Sequence, residues 1–297
     1  MASKYMLIAD DVLDVTPGAK KRSELVRECG LNLAEKLKSP VRVLYVQNPI
    51  DITLKTADRE RIKSTLEKVR EQNKKVQVIE AFGNPVDEIF RLETSSPAPG
   101  MVVMGTAGKK GIERFFLGSV AEEVVRNAVV PVMVIGPKVE KASTGKGKIL
   151  VATDLTANSR RAEAYAKKLA KALNAEVVLI YSTIETLRVA DQYAAASGTA
   201  FMDQSTIDTL KAKSKEAMLK KTKLFKAAGV RCTFKLDDNQ PTSQAAITNE
   251  TANGTYQYLV MGTHGRSAFV KAFLGSTARE TIMGSSVPTI VIRSHNK

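Results

Sequence analysis

The strongest constraint on the fold is an internal repeat. Residues 101–135 read MVVMGTAGKKGIERFFLGSVAEEVVRNAVVPVMVI, and residues 258–292 read YLVMGTHGRSAFVKAFLGSTARETIMGSSVPTIVI. The two segments align without a gap at an offset of 157, with 15 identities in 35 positions. A repeat of this length indicates that one folding unit has been copied, so the sequence predicts two tandem domains.

The limits of the two copies follow from a second match. Leu7–Asp11 aligns with Leu150–Asp154 at an offset of 143, which is 14 less than the offset of the later block. We expect the difference to be an inserted loop or helix around Ala190–Gln204. Residues 138–148, KVEKASTGKGK, carry no apolar pattern and are predicted to be a linker. The predicted domains are therefore residues 1–137 and 149–297.

Each copy alternates short apolar runs with segments of helical spacing, such as Ala162, Ala166, Leu169 and Leu173. Continuous apolar strands that alternate with helices are typical of a parallel sheet covered on both faces. Right-handed crossovers then give an α/β, three-layer, doubly wound domain. The predicted strands are 5–9, 41–46, 76–81, 101–104 and 132–135 in the first copy and 149–152, 177–181, 230–236, 258–261 and 289–292 in the second.

Several protein classes are excluded by composition. The longest apolar stretch, Ala128–Ile135, is far shorter than the roughly 20 residues of a membrane span, and the N-terminus lacks the features of a secretory signal. Cys29 and Cys232 lie 203 positions apart and form no zinc spacing with the two histidines, which is typical of free thiols. We therefore expect a cytoplasmic protein.

The net charge of +14 raises the question of an anionic partner. The chain has no tryptophan and no aromatic-basic signature of an RNA-binding sheet, which argues against nucleic acid. A nucleotide phosphate, an acidic partner or a simply solvated basic surface all fit the charge.

A spaced glycine motif follows the fourth strand of each copy and has the form G-x2-G-x9-G-[ST]. Glycines allow the backbone to approach a ligand closely, and the amide groups and dipole at the start of a helix favour phosphate. The motif is neither a Walker loop nor G-x-G-x-x-G. Its residues are Gly105, Gly108, Gly118 and Ser119 in the first copy and Gly262, Gly265, Gly275 and Ser276 in the second.

A purely structural alternative exists for this motif. Ser119 stands three residues before Glu122, and Thr277 stands three residues before Glu280, so each pair can form a capping box that does no more than start a helix. The three-glycine spacing occurs in both copies, and this favours binding over capping alone.

Asp11 and Asp154 follow the first strand of each copy. A carboxylate at this place can accept hydrogen bonds from ribose hydroxyls or hold a magnesium ion between phosphates. The alternative is an N-cap for the following helix, although Thr156, Asn158 or Ser159 can fill that role and leave Asp154 free.

Taken together, these motifs resemble the universal stress proteins, specifically those with two domains in one chain. The resemblance rests on the Ala-x-Asp strand ends, Met-Gly-Thr-x-Gly, Leu-Gly-Ser and Val-Pro-x-x-Val-Ile, and it covers nearly the whole chain. It implies two Rossmann-like, HUP-type domains, each with a five-stranded parallel sheet in the order 3-2-1-4-5. Relatives that keep the glycine motif are typically ATP binders.

The resemblance also implies a role for each candidate residue. Asp11 and Asp154 would contact ribose, and Met104 and Met261 would flank the base or ribose. The ends of the second strands, Val46 and Ser182, would line the adenine pocket, with Ser182 replacing the usual apolar residue. The glycines and the helix starts, Ser119-Val120 and Ser276-Thr277, would hold the triphosphate.

Three functions are consistent with these motifs. The leading one is an ATP-binding and largely non-catalytic regulator of the stress response, with AMP or ADP as other ligands and Mg or Mn accompanying the nucleotide. The alternatives are a slow Mg-dependent ATPase and an interaction module whose nucleotide sites are vestigial. The apolar final strands would lie at sheet edges, which predicts an intramolecular pseudo-dimer and is compatible with a homodimer.

Overall fold

The computed structural model describes residues 4–10, 17–47, 56–72, 76–106, 117–143, 147–184, 186–187, 203–264 and 274–294. The chain divides into two compact units. Unit 1 comprises Met1–Thr144 and Ile282–Arg293, and unit 2 comprises Gly145–Thr281 and Ser294–Lys297. The units do not coincide with the sequence repeats, because the last strand of the second repeat belongs to unit 1. The limits 1–137 and 149–297 remain a prediction about the repeats.

The elements of the first repeat alternate as the apolar runs predict. They are β1 (Tyr5–Ala9), α1 (Pro17–Leu37), β2 (Val41–Gln47), α2 (Thr56–Gln72), β3 (Val76–Phe82), α3 (Pro85–Glu93), β4 (Pro99–Gly105), α4 (Ser119–Asn127) and β5 (Val132–Ile135). β1 pairs in parallel with β2 and β4, β2 with β3, and β4 with β5. Consecutive side chains of β5 are all buried, as expected for a strand covered on both faces.

The second repeat has the same order with one longer helix. Its elements are β6 (Lys148–Ala152), α5 (Arg160–Leu173), β7 (Val177–Ser182), α6 (Gln204–Ala227), β8 (Cys232–Asp237), α7 (Ser243–Asn253), β9 (Tyr256–Gly262), α8 (Ser276–Gly284) and β10 (Thr289–Ile292). In unit 2, β6 pairs in parallel with β7 and β9, and β7 pairs in parallel with β8.

The final strand β10 pairs with β5 in an antiparallel manner, with Ile290 opposite Met133. Among the described residues, unit 1 therefore contains six strands and unit 2 contains four, instead of five in each. The predicted α/β class with a mostly parallel sheet is confirmed. The strand order is β3-β2-β1-β4-β5-β10 in unit 1 and β9-β6-β7-β8 in unit 2.

Local sequence signals account for the helix ends. Asn84 caps α3 by accepting from the amide of Val86, and Asp203 caps α6 by accepting from the amide of Thr206. Helix α5 ends at Asn174, whose left-handed backbone (φ 48°) is a conformation that asparagine tolerates.

Residues 138–143 of the predicted linker belong to unit 1, whereas residues 147–148 belong to unit 2. Arg22 donates to the carbonyl oxygens of Gly136 (2.9 Å), Pro137 (2.9 Å) and Val139 (3.0 Å). Val139 itself is buried, at 1% exposure. The sequence did not predict this contact with unit 1, because the segment has no apolar pattern. A guanidinium can bind successive carbonyl groups without such a pattern.

Candidate functional site

The carboxyl ends of the strands locate the candidate site in each unit. In unit 2 the chain leaves β6 towards β7 on one side and returns through β9 on the other, so the winding direction reverses between β6 and β9. Ligands of open α/β sheets bind at this switch point. The register places Val151 opposite Val260, so the loops that begin at Thr153 and Thr263 are neighbours. Unit 1 has the same reversal between β1 and β4, with Ile8 opposite Val103.

Asp154 organises its own loop. Its carboxylate accepts from the Thr156 amide (2.9 Å), from the Thr156 hydroxyl (2.7 Å) and from the Ser159 hydroxyl. Thr156 in turn caps the short 3-10 turn Ala157–Ser159. The expectation that capping by another residue would leave Asp154 free is therefore not met. These bonds hold the carboxylate in the turn that follows β6.

The preceding residue, Thr153, belongs to a buried polar network that sequence reasoning missed. Its hydroxyl donates to Glu163 Oε1 (2.7 Å), and Lys221 Nζ lies 2.7 Å from the same oxygen. The Lys221 and Glu163 side chains are only 15% and 10% exposed. Because Lys221 lies 58 positions from Glu163, only the fold could reveal this ion pair.

Unit 1 contains a different network at the equivalent place. Asp10, whose side chain is 2% exposed, accepts from Ser23 and forms an ion pair with Arg27, which also donates to Ser23 Oγ (2.7 Å). Sequence reasoning singled out Asp11 and passed over Asp10. A helical signal was present, because Ser23 and Arg27 are four residues apart and face the same side of α1.

Two glycines of the motif in unit 2 occupy places where a side chain would be crowded. A Cβ at Gly262 would lie 3.1 Å from Ser294 Oγ and 3.4 Å from the carbonyl oxygen of Asn158. At Gly275 it would lie 3.0 Å from the carbonyl oxygen of Thr263, to which the Gly275 amide donates (3.1 Å). Packing by itself therefore gives a reason for both glycines.

A short polar cluster covers the end of β9. Ser294 donates through its hydroxyl to the Asn158 carbonyl (3.0 Å) and through its amide to Thr263 Oγ1 (3.2 Å). Thr263 Oγ1 also lies 2.9 Å from His264 Nδ1. Through Ser294, this cluster joins the loops after β6 and β9 and fixes the backbone that leads into the glycine loop.

The start of α4 in unit 1 contradicts the capping alternative. The helix begins at Ser119, its N-cap is Gly118, and no side chain makes a cap hydrogen bond there. Ser119 is therefore the first helical residue and cannot form the box with Glu122 as an N-cap. The Gly118 amide donates to the Thr106 carbonyl (2.6 Å) and is already used. The first amides of a helix have no partner within it, and such a helix start favours an anion.

The remaining candidates vary in burial. Met104 and Met261 are each 5% exposed, and Val46 is half-buried at the end of β2. Gly105 is half-buried, and a Cβ there would meet Val26 at 3.4 Å, an ordinary contact. The other positions described lie at the helix starts, with Ser276 exposed and Val120 and Thr277 half-buried. Asp11, Gly108 and Gly265 lie outside the described residues.

Ser182 is the most unusual candidate. It ends β7, is 7% exposed, and its hydroxyl has no hydrogen-bond partner among the residues that the structure describes. An unpaired buried hydroxyl costs about 1–3 kcal/mol, so such a group needs an explanation. The equivalent residue in unit 1 is Val46, which has no polar side-chain atom to satisfy.

The two cysteines are poor nucleophiles. Burial raises the pKa of the Cys29 thiol to about 12 and the pKa of the Cys232 thiol to about 11, and both thiols are free. Neither forms appreciable thiolate near neutral pH. Within the described part of the chain, no group of three or more His, Cys, Asp or Glu residues is arranged to hold a metal ion.

The doubly wound topology and the paired strand-end loops define a tandem α/β protein with two candidate small-molecule sites. The model of the universal stress protein family matches residues 19–136 and, again, residues 146–293. The chain therefore belongs to the universal stress protein family and carries two copies of its domain. No helix in the described ranges is both long and apolar enough to cross a membrane.

Similar proteins agree with this assignment. The chain is 32% identical over 146 residues to the universal stress protein MJ0531 of Methanocaldococcus jannaschii, covering 44% of this chain and 81% of that protein. It is 26% identical over 221 residues to a universal stress protein of Mycobacterium bovis, covering 71% of this chain and 67% of that protein. The crystal structure of a universal stress protein from Archaeoglobus fulgidus has a TM-score of 0.59 at 22% identity and 99% coverage of both chains, which supports the fold.

Proposed function

We propose that the chain is a cytoplasmic, nucleotide-dependent regulator that binds ATP, or its products AMP and ADP, at the strand-end site of each unit. The observation that carries the proposal is the glycine motif, which is present in both repeats and in unit 1 leads into a helix whose N-cap is Gly118. A helix start of this kind favours phosphate through its amide groups and its dipole.

The residues present are compatible with a bound adenine nucleotide. The amides around Ser119-Val120 and Ser276-Thr277 would hold the phosphates, and Asp154 would contact a ribose hydroxyl. The unpaired hydroxyl of Ser182 would find a partner at the edge of the base. When bound, the nucleotide would place negative charge at these helix starts. Regulation would follow if the bound form offers a different surface to a partner.

The first test identifies the bound molecule. Protein purified without added nucleotide is denatured, and the released small molecules are identified by mass spectrometry and counted against protein. We expect an adenine nucleotide at between one and two equivalents. Absence of nucleotide, together with no calorimetric signal for ATP with Mg, would refute the proposal.

Glycine variants then locate the site. Gly105→Val places a branched side chain at the carboxyl end of β4 and should lower ATP occupancy of unit 1. The control is Gly100→Val in the same strand at its opposite end, where a Cβ would meet Lys4 Cβ at 3.2 Å. Equal loss of ATP in both variants would indicate a general effect on β4. Thermal unfolding confirms that each variant is folded.

Turnover separates regulation from catalysis. Phosphate release is measured with Mg and with Mn under saturating ATP. Phosphate release at rates near the enzyme median of about 10 per second would show that the chain is an ATPase and not a largely non-catalytic regulator. We expect release that is far slower than this value.

A further inference from the structure

The two repeats differ in the charge of the helix that precedes their third strand. Helix α6 carries seven Lys residues and two acidic residues, which gives a net charge of +5. Helix α2, at the equivalent place, carries five basic and four acidic residues, which gives +1. The positive charge is therefore specific to α6 and is not required by this place in the fold.

Three lysines of α6 are engaged. Lys211 pairs with Asp238 (2.7 Å), Lys220 pairs with Glu216 (2.7 Å), and Lys221 belongs to the buried pair with Glu163. The other lysines are exposed and form no ion pair with any residue that the structure describes: Lys213, Lys215, Lys223 and Lys226. Uncompensated charge concentrated on one helix attracts polyanions.

Two large apolar side chains lie among these lysines. Leu219 is 44% exposed and Leu224 is 62% exposed, whereas Met218 and Phe225 of the same helix are buried at 0% and 1%. Met218 and Phe225 on the inner face of α6 thus pack in the core, and the two leucines do not contribute to it. A rotation of 100° per residue places Leu219 and Leu224 roughly 140° apart around the helix, on opposite flanks of the exposed face.

This arrangement discriminates among polyanions. Phosphates of nucleic acid would pair with the lysines but would gain nothing from the leucines. A flat anionic lipid surface would contact only one flank at a time. A polypeptide that carries carboxylates and apolar side chains can follow the helix and contact both flanks. We propose that the exposed face of α6 is a docking surface for an acidic polypeptide segment that also carries apolar side chains.

The test uses a fluorescent synthetic peptide built of Glu-Glu-Leu repeats and a matched peptide of Glu-Glu-Ser repeats. Binding to the full chain is followed by fluorescence anisotropy at low ionic strength. We expect the leucine peptide to bind several-fold more tightly than the serine peptide, and both affinities to fall as salt is added.

Matched variants separate the surface from net charge. Lys213, Lys215 and Lys223 changed together to Gln should weaken binding of the leucine peptide by about tenfold. The control changes three exposed lysines of unit 1, Lys20, Lys21 and Lys63, to Gln and should change binding less than about twofold.

The leucines are tested by Leu219→Ser and Leu224→Ser, which should remove the advantage of the leucine peptide but leave the affinity for the serine peptide unchanged. Equal loss in the two triple lysine variants, or equal affinity of the wild-type chain for the two peptides, would overturn the proposal. Tighter binding to duplex DNA or to phosphatidylserine vesicles than to the leucine peptide would also overturn it.

Discussion

The residue that follows the central strand is held differently in the two units. In unit 1, Asp10 is bound by Arg27 and Ser23, all from the same stretch of chain. In unit 2, the equivalent residue is Thr153, and the charges belong to Glu163 and to Lys221 on the distant helix α6. Both networks lie beside the candidate site, so each can fix the strand end from which the ligand-facing loop departs.

In both units the polar group at this place has hydrogen-bond partners, but the partners differ. A buried carboxylate needs a cation and hydrogen bonds, and the cation can come from any neighbouring element. Unit 1 takes its cation from the adjacent helix α1, and unit 2 takes it from α6. As a consequence, α6 in unit 2 is tied to the site by an ion pair, and a partner docked on α6 would lie on the same helix as Lys221.

The largest expected effect is in unit 1. Arg27→Met removes the cation from Asp10, whose side chain is 2% exposed, and leaves an uncompensated buried charge. We expect a loss of about 3–5 kcal/mol in the free energy of unfolding, measured by urea denaturation at neutral pH. Adding Asp10→Asn to this variant should recover part of the loss. A loss below about 1 kcal/mol would show that Asp10 is reached by water or another cation.

A smaller effect is expected in unit 2. Lys221→Met leaves Glu163 with the hydrogen bond from Thr153, so we expect a loss of about 2 kcal/mol. The control Lys223→Met removes an exposed lysine of the same helix and should change stability by less than about 0.5 kcal/mol. If Lys221→Met costs more than Arg27→Met, the ranking of the two networks is wrong.

The ends of β2 and β7 give a third comparison. Ser182→Ala removes the unpaired buried hydroxyl without adding volume, and we expect the protein without nucleotide to gain about 1 kcal/mol in stability. Saturating ATP should reduce this gain if the hydroxyl contacts the base. The exposed control Ser276→Ala should leave stability unchanged. A loss of stability in Ser182→Ala would show that the hydroxyl already has a partner.

The smallest effect concerns two glutamates at the same place in the repeat. Glu93 is buried at 8% exposure and accepts from the Val129 amide (3.2 Å), whereas Glu250 pairs with Lys235 (2.7 Å), whose side chain is 53% exposed. Burial raises the pKa of the Glu93 carboxyl above its ordinary value of 4.5. The folded state therefore binds this proton more tightly, and stability falls as pH rises above about 4.5 through the raised pKa.

Glu93→Gln should remove this pH dependence. We expect the variant to be more stable than the wild type at pH 8 and equal to it near pH 4, measured by urea denaturation at both values. Glu250→Gln should show a loss instead, because it weakens the pair with Lys235 and the hydrogen bond from the Tyr256 hydroxyl. If the difference in the free energy of unfolding between Glu93→Gln and wild type instead grows towards acid pH, the direction assigned to the Glu93 pKa shift is wrong.

Much of the fold was predictable because the positions of its strands follow from local sequence patterns. The continuous apolar runs predicted β1, β5 and β10 with the bounds observed, and most other strands within two residues. The start of α6 at Gln204 was not predicted, although Asp203 is a strong N-cap residue that signals it. These features depend on residues that are close in the chain, and so does the spaced glycine motif that identifies the candidate sites.

The arrangement around the sites was less predictable. Asp154 was correctly placed after its strand, but its bonds to Thr156 and Ser159 depend on the turn that the loop adopts. Ser119 was expected to be able to cap a helix and instead begins it, because Gly118 takes the capping position. A shift of one residue changes which amides are free, and sequence-based helix ends are uncertain by more than that.

By itself, the sequence determined that this chain is a tandem universal stress protein with α/β domains, since repeats, periodicity and motifs can be recognised in the sequence alone. Only the tertiary structure decided that β10 completes unit 1, that Lys221 neutralises Glu163, and that the Ser182 hydroxyl is buried without a described partner. The physical reason is that burial and charge pairing join residues far apart in the chain, and many such pairings are compatible with one local pattern.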